Sequence, residues 1–239
     1  MFYANKESIE SLYNGKVDDI GNKWFIGHPI NVHYDYEKIG IWQNTSEDLA
    51  EMEEFNKNGA NFKSGDIKIW DNGDKKITEA DRKILGSTSP KFIASMVNSI
   101  SYKGFDFSIF LYASVGAMLN NNIEYLNKPG RANSIVIDYW TPTNPTNAYP
   151  RPSVDNASPA YVKSLQYEKA DFIRVRNITL GYTLPEKLLK KIRARKIRVY
   201  LSANNPFVIT GFSGIDPEGA RGYTAPSAST WMGGVNLSF

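Results

Sequence analysis

The lengths of the connections between strands constrain this chain more than any single segment does. Six stretches alternate apolar and polar residues, at about 29–42, 91–103, 104–117, 171–184, 196–207 and 229–239. Alternation with period two is what a half-buried strand requires, because successive side chains point to opposite faces. From strand to strand the connections run long, very short, long, short, long. An antiparallel barrel crossing an outer membrane has this asymmetry, with short periplasmic turns and long extracellular loops. A soluble sandwich has no reason to keep it, and loops this long are uncommon inside compact domains. The expected fold class is all-β: the C-terminal strands of a large antiparallel transmembrane β-barrel with long extracellular loops. Six strands cannot close a barrel of that size, and an open sheet in lipid leaves edge groups unsatisfied. The remaining strands are expected upstream of Met1.

The last strand places Trp231, Gly233, Val235, Leu237 and Phe239 on one face and Met232, Gly234, Asn236 and Ser238 on the other. A soluble domain ending this way would leave an apolar edge beside a frayed terminus. In a barrel the same residues face lipid, and Phe239 joins the aromatic girdle at the interface. The cleanest alternation follows the tight turn Lys103-Gly104: Phe105, Phe107, Ile109, Leu111, Ala113 and Val115 stand against Asp106, Ser108, Tyr112, Ser114 and Gly116. Asn98 is a misfit on the apolar face of the strand before it. In the fourth strand Ile178, Leu180 and Tyr182 form the apolar face. Arg174 and Arg176 share their parity, so the lipid-facing part is expected to begin below them. Residues 29–42 read as a strand with a bulge near Lys38, where the apolar phase shifts to Ile39 and Ile41. Residues 1–28 read as a polar periplasmic-side connection or the end of a preceding strand. Thr45-Ser46-Glu47-Asp48, followed by Leu49, Met52 and Phe55, predicts a short surface helix, and Pro185 to Lys196 a basic connection of one or two helical turns.

Composition removes several function classes. The net charge of +3 comes from nearly balanced signs, too weak for a nucleic-acid footprint. Cysteine is absent, which excludes disulfides and thiolate sites and fits a bacterial envelope. No run approaches the roughly 20 apolar residues of a membrane-spanning helix, which says nothing against a barrel. Met1-Phe-Tyr-Ala-Asn-Lys lacks the basic start and apolar core of a secretory signal, so the chain is expected to be the end of a longer polypeptide.

No catalytic constellation emerges. His28 and His33 flank Pro29 without a nucleophile or a metal-spaced partner. The metal candidate is the loop 70–81. A calcium loop puts oxygen ligands at alternating positions, a glycine sixth and a carboxylate twelfth. Asn72, Asp74 and Asp81 stand third, fifth and twelfth, but Trp70 stands first and Lys75 replaces the glycine. These losses favour a metal-free turn over Ca2+. Ligand contact is expected instead in the aromatic loops, where Tyr139, Trp140, Tyr149 and Arg151 offer flat apolar faces and a fork donor for sugar rings or peptide groups. The competing role for each is packing its proline-rich loop. A carbohydrate-recognising soluble β-sandwich is the alternative from a different class.

A resemblance to a known family runs from about Asp18 to Phe239. Asp19-Ile-Gly-Asn-Lys-Trp-Phe-Ile-Gly-His-Pro-Ile-Asn31, Gly40-Ile-Trp-Gln43, Gly65-Asp-Ile-Lys68 and Asn72-Gly-Asp74 resemble the SusC/RagA family of TonB-linked outer-membrane transporters. So do Ser101-Tyr-Lys-Gly-Phe-Asp-Phe-Ser108, Tyr139-Trp-Thr-Pro142, Phe172-Ile-Arg, Asn177-Ile-Thr-Leu-Gly-Tyr-Thr-Leu-Pro185 and Gly214-Ile-Asp-Pro-Glu218. The resemblance implies the C-terminal part of a plugged barrel of about 22 strands. It also implies import of glycans or peptides, a SusD-like surface lipoprotein as lid, and energy supplied through TonB. Plug, TonB-contacting box and signal peptide would lie N-terminal to this chain. The last residues resemble the signal read by the barrel-assembly machinery, with Gly234, Leu237 and Phe239 in place and Met232 where a polar residue is usual.

Overall fold

One antiparallel sheet takes in both ends of the chain. Its strands, in spatial order, are β1 (Phe2–Ala4), β6 (Phe92–Tyr102), β7 (Phe105–Val115), β10 (Phe172–Thr183), β11 (Lys196–Thr210) and β12 (Thr230–Ser238). The computed structural model describes residues 1–13, 15–121, 136–152, 159–191, 193–219 and 227–239. They divide into two units. One holds Met1–Lys6, Ser89–Ala117 and Lys169–Phe239; the other holds Glu7–Thr88 and Met118–Glu168.

In the first unit the register sorts side chains cleanly. Phe107 pairs with Ile100 and Leu180, and Ile109 with Asn98 and Ile178. Val199 pairs with Val235, and Ile197 with Leu237. Directly opposed residues share a face, so these positions make one apolar face. The other face carries Ser99, Ser108, Thr179, Ser202 and Met232 in one continuous row. Phe110, opposite Val97 and Asn177, is an apolar residue on that polar face. The β6–β7 turn has positive φ at both Lys103 (47°) and Gly104 (88°), the geometry a two-residue hairpin needs to match strand twist. A side chain at Gly104 would meet the Thr183 carbonyl at 2.8 Å.

The register breaks once, between Val175 and Asn177. There Arg176 on β10 lies opposite Asn205-Pro206 on β11, with Asn205 at φ 48°. A bulge adds one residue, and one residue of slip moves a side chain to the other face. Arg174 therefore joins the polar face of Asn177 and Thr179, although simple parity sets it with Ile178. Pro206 fits the bulge because it has no N–H for the ladder.

Residues 29–42 do not enter this sheet. They break at Glu37 into β2 (Val32–Tyr36), which pairs with β5 (Arg82–Ser87), and β3 (Lys38–Ile41), which pairs with β4 (Ile67–Ile69). The phase shift read as a bulge is thus the boundary between two strands of different small sheets. The first strand of the large sheet comes instead from Phe2–Ala4.

The second unit is built from two of the long connections, folded together. Ile41, Ile67, Ile69, Trp140, Val162 and Leu165 form one buried cluster. Trp42, Met52, Phe55 and Phe62 form another. The helix α1 (Ser46–Lys57) supplies Met52 and Phe55, while Leu49 stays exposed. Thr45 caps it by accepting the Asp48 N–H at 3.2 Å, satisfying one of the donors a helix start leaves open. A small strand pair, β8 (Met118–Asn120) with β9 (Tyr167–Lys169), closes the unit's second segment. In the sheet unit, α2 (Glu186–Lys191) fills the short connection between β10 and β11.

Candidate functional site

A groove of about 640 Å³ opens in the second unit, lined in part by Lys38, Lys83, Met118, Tyr149, Tyr167 and Glu168. Chain folding brings these together from four strands and a loop, since β3, β5, β8 and β9 each contribute a residue and Tyr149 comes from the connection between β8 and β9. Its charges are largely paired. Lys83 Nζ lies 2.8 Å from Glu37 Oε2 and 3.5 Å above the Trp70 ring. Lys38 Nζ donates to the Asn147 and Ala148 carbonyls at 2.6 and 2.7 Å, and burial pulls its pKa down. Tyr167 donates to Asp35 Oδ2 at 2.8 Å; burial, then that carboxylate, pushes the phenol up. Burial also raises Tyr149, with Glu168 adding to the effect. With its charges satisfied, the groove offers tyrosine faces and apolar edges suited to a neutral, polar ligand.

The four aromatic-loop candidates separate. Tyr149 lines the groove. Tyr139 is partly exposed and forms a parallel bridge with Tyr149. Trp140 is 5% exposed, inside the Ile41–Ile67 cluster, and its Nε1–H donates to Gln43 Oε1 at 2.8 Å. Arg151 pairs with Asp66 Oδ1 at 2.9 Å through Nε. Both Trp140 and Arg151 press on Gly65, where an added Cβ would lie 2.4 Å from the indole and 2.8 Å from Arg151 Cβ. These two therefore pack the loop. Lys38, Lys83, Tyr167 and Glu168 had no sequence signal, because they converge only through the folding of distant segments.

In the loop 70–81 the carboxylates of Asp71, Asp74 and Asp81 approach one another to within 4.8 Å. Asp71 joins the expected Asp74 and Asp81, and Asn72 Oδ1 accepts the Asp74 N–H. Asp81 is fully buried, and its oxygens accept N–H groups of Asn72 at 3.0 Å and Thr78 at 2.6 Å. Asp71 Oδ2 accepts from Gly73 and Lys75, and Asp74 Oδ1 from Lys76. Asp71 Oδ1 is buried without a partner. Lys75 adopts the left-handed φ of 58° expected of the missing glycine, and its Nζ turns to Glu51 at 2.6 Å.

On the polar face of the sheet, Arg174 is 3% exposed and holds Asp216 at 2.6 Å and Glu218 at 3.1 Å; Arg176 also binds Glu218. The segment Gly214–Glu218 is thereby strapped onto β10. Farther along, Arg198 grips Asp106 with both Nε (2.9 Å) and Nη2 (2.5 Å). Gly181 lies between them, and a Cβ there would come within 2.6 Å of both partners.

No protein-family model matches the chain. TonB-dependent receptor P3 of Formosa agariphila is 33% identical over 196 residues, 80% of this chain and 19% of that protein. TonB-dependent receptor SusC of Bacteroides thetaiotaomicron is 31% identical over 179 residues, 70% of this chain and 17% of its own length. Among solved structures, the RagAB peptide importer in its open-open state superposes with a TM-score of 0.73 at 25% identity, over 100% of this chain and 26% of that one. The chain belongs to the SusC/RagA family of TonB-dependent receptors. It spans only about a quarter or less of the relatives it matches, and they are receptors and importers rather than enzymes.

Within a receptor of this family the sheet is a stretch of outer-membrane barrel wall. Its apolar face meets lipid and its polar face the lumen, which is why Leu201 is 67% and Trp231 71% exposed in this chain taken by itself. A sandwich would have to bury that face. Leu237 shares the lipid face with Ile197, Phe239 follows β12 with its ring exposed, and Gly234 lies opposite Tyr200, whose ring covers it.

Proposed function

We propose that this chain supplies part of the barrel wall and a folded extracellular loop unit of a nutrient importer for oligosaccharides or peptides. A SusD-like lipoprotein would close over the loops, TonB would supply the energy, and Gly234, Leu237 and Phe239 would form a signal for the barrel-assembly machinery. The observation that carries this is the division of labour: a membrane-type sheet whose long connections fold into a unit with its own core and a charge-neutralised aromatic groove. Short connections at Lys103-Gly104 and Pro185–Lys196 would then face the periplasm. In the intact receptor, Tyr149→Ala should weaken ligand binding about three- to tenfold, the range for losing one aromatic contact. Trp140→Phe, which keeps the core filled, should leave it within about twofold. Equal affinities for the wild type and Tyr149→Ala, measured by calorimetry, would remove the groove from the import path.

For the loop 70–81 we propose a turn that holds its shape without an ion. Five backbone N–H groups already occupy the carboxylate oxygens of Asp71, Asp74 and Asp81. Hydrogen exchange across the loop should be unchanged between millimolar calcium and chelator. Calcium-dependent protection would instead make Asp71 Oδ1, the oxygen without a partner, the ligand that completes a site.

A further inference from the structure

The end of the sheet that carries the short connections is strongly basic. Of the twelve residues from Pro185 to Lys196, six are Lys or Arg and one, Glu186, is acidic, making this stretch more positive than the whole chain. Lys187, Lys190, Lys191, Arg193, Arg195 and Lys196 are all exposed, and no ion pair forms on them among the described residues. The fold fixes them at one rim. Leu189 is the buried residue of α2, and the Ala194 N–H returns to its carbonyl at 3.2 Å. Arg195 N–H bonds Ser238 and Leu184 N–H bonds Ile197 across the strand ends. Thr183 N–H reaches the Gly104 carbonyl at 2.8 Å, joining this connection to the β6–β7 turn, where Lys103 adds a seventh cation over the Tyr102 ring.

Just inside the basic fringe, the lipid face ends in aromatic side chains. Tyr102 and Phe105 are exposed, Phe105 packs on Tyr182 with ring centroids 4.5 Å apart, and Phe239 closes the row. Aromatic rings prefer the boundary between hydrocarbon and headgroups. Cations directly beyond that boundary lie at the depth of lipid phosphates, and each contributes to attraction toward an anionic surface. We infer that this rim binds the headgroups of anionic phospholipids in the leaflet next to the short turns. The apolar face explains residence in a membrane; the fringe adds a preference for one headgroup charge.

The inference rests on the membrane placement under the proposed function, and the two can fail separately. The test uses the intact receptor in detergent, with bound phosphatidylglycerol and phosphatidylethanolamine of equal chain length counted by native mass spectrometry. In a variant carrying K187Q, K190Q, K191Q, R193Q, R195Q and K196Q, phosphatidylglycerol adducts should fall about tenfold or more, with phosphatidylethanolamine unchanged. A charge-keeping variant, with each Lys→Arg and each Arg→Lys at the same positions, should retain them within about twofold. Heat-modifiable migration confirms that both variants are folded. Equal phosphatidylglycerol in the Gln variant and the wild type overturns the inference, as does parallel loss of both lipids. So does wild-type binding to purified cell-wall sacculi without a lipid preference, which would make the fringe a contact for an anionic polymer. Orientation is read independently, by labelling the K191C variant with an impermeant thiol reagent. Labelling of intact cells sinks the periplasmic placement and leaves the micelle result standing on its own.

Discussion

The sheet and the loop unit spend their apolar residues in opposite ways. In the sheet, Leu201, Phe207, Ile209 and Trp231 are each more than 60% exposed. In the loop unit, Ile41, Trp42 and Ile67 are each 2% exposed or less. The difference is one of solvent. Lipid replaces a core for the sheet, so its strands need only alternate and saturate their backbone groups with their neighbours. The loop unit stands in water and must build a conventional core from distant segments. On the polar face, specific ion pairs, Arg174 with Asp216 and Arg198 with Asp106, stand beside the Tyr112–Phe172 ring contact.

The sharpest way to break the comparison is to empty the loop core. Trp140→Ala should cost the loop unit about 3 to 5 kcal/mol. In the intact receptor, amide exchange should rise at Ile41, Ile67 and Ile69 and stay slow in β10 and β11. Loss of protection in both places would mean that the sheet depends on the loop core. A smaller effect is expected from charging the lipid face. Leu201→Arg should destabilise the barrel by about 2 to 4 kcal/mol near the midplane, read as less heat-modifiable protein in outer-membrane fractions. Thr179→Ala on the lumen side should assemble normally. If both accumulate alike, the faces are assigned the wrong way round.

How much of this was legible in the sequence follows the same divide. Strands with one face in lipid announce themselves by period two, and Phe105 to Val115 or Trp231 to Phe239 can be assigned to a face without a structure. The misfit arginines were legible as misfits, but not their cause, since a bulge is visible only against a partner strand. In the loop unit, alternation from Ile30 to Tyr36 is real but names no partner. Its partner β5, Arg82–Ser87, has no clean alternation, so the sequence alone points the stretch to the large sheet. The helix of Ser46–Lys57 was readable because caps and spacing are local. The groove was not, because Lys38, Tyr149 and Tyr167 are far apart in sequence. Trp140 could be chosen as a ligand-contact residue because burial is not written in composition, and Arg151 because its partner Asp66 is far away in sequence.

The Arg174–Asp216 strap offers a milder perturbation, by acid. Burial alone would raise the Asp216 carboxyl; hydrogen bonds from Ser227 and Glu218 N–H and the Arg174 charge outweigh it and hold the pKa below its ordinary value. A carboxyl depressed in the folded state contributes stability above its unfolded pKa and loses it as pH falls through the folded one. The strap should therefore be intact at pH 5 and above and loosen below about pH 4. Pepsin should cut within 211–219 at pH 2 and much less at pH 4, with the barrel still heat-modifiable. Cleavage independent of pH would mean that the ion pair does not hold the strap.

The smallest expected effect concerns Gly234, which two accounts explain differently. As part of an assembly signal, with Leu237 and Phe239, it would be read by the barrel-assembly machinery. As a packing residue, it is small because Tyr200 lies across it: an added Cβ would sit 2.5 Å from the ring's Cζ and 2.6 Å from the hydroxyl. An aromatic ring laid over a glycine of the neighbouring strand is a known way to fix register and cover an exposed backbone. Gly234→Ala should then cost about 1 kcal/mol, at the low end for overpacking, because the ring can swing into the lumen. The two accounts part in a Tyr200→Ala background. If packing sets the glycine, the double variant assembles as well as Tyr200→Ala alone. If the glycine is read directly, Gly234→Ala lowers assembly by the same factor with or without the ring. Phe239→Ala calibrates the assay: it removes an interfacial ring while leaving every strand hydrogen bond in place, and should reduce assembly more than Asn236→Ala on the lumen face. Equal accumulation of those two would take Phe239 out of the signal and leave Tyr200 over Gly234 as the feature that holds β12 in register.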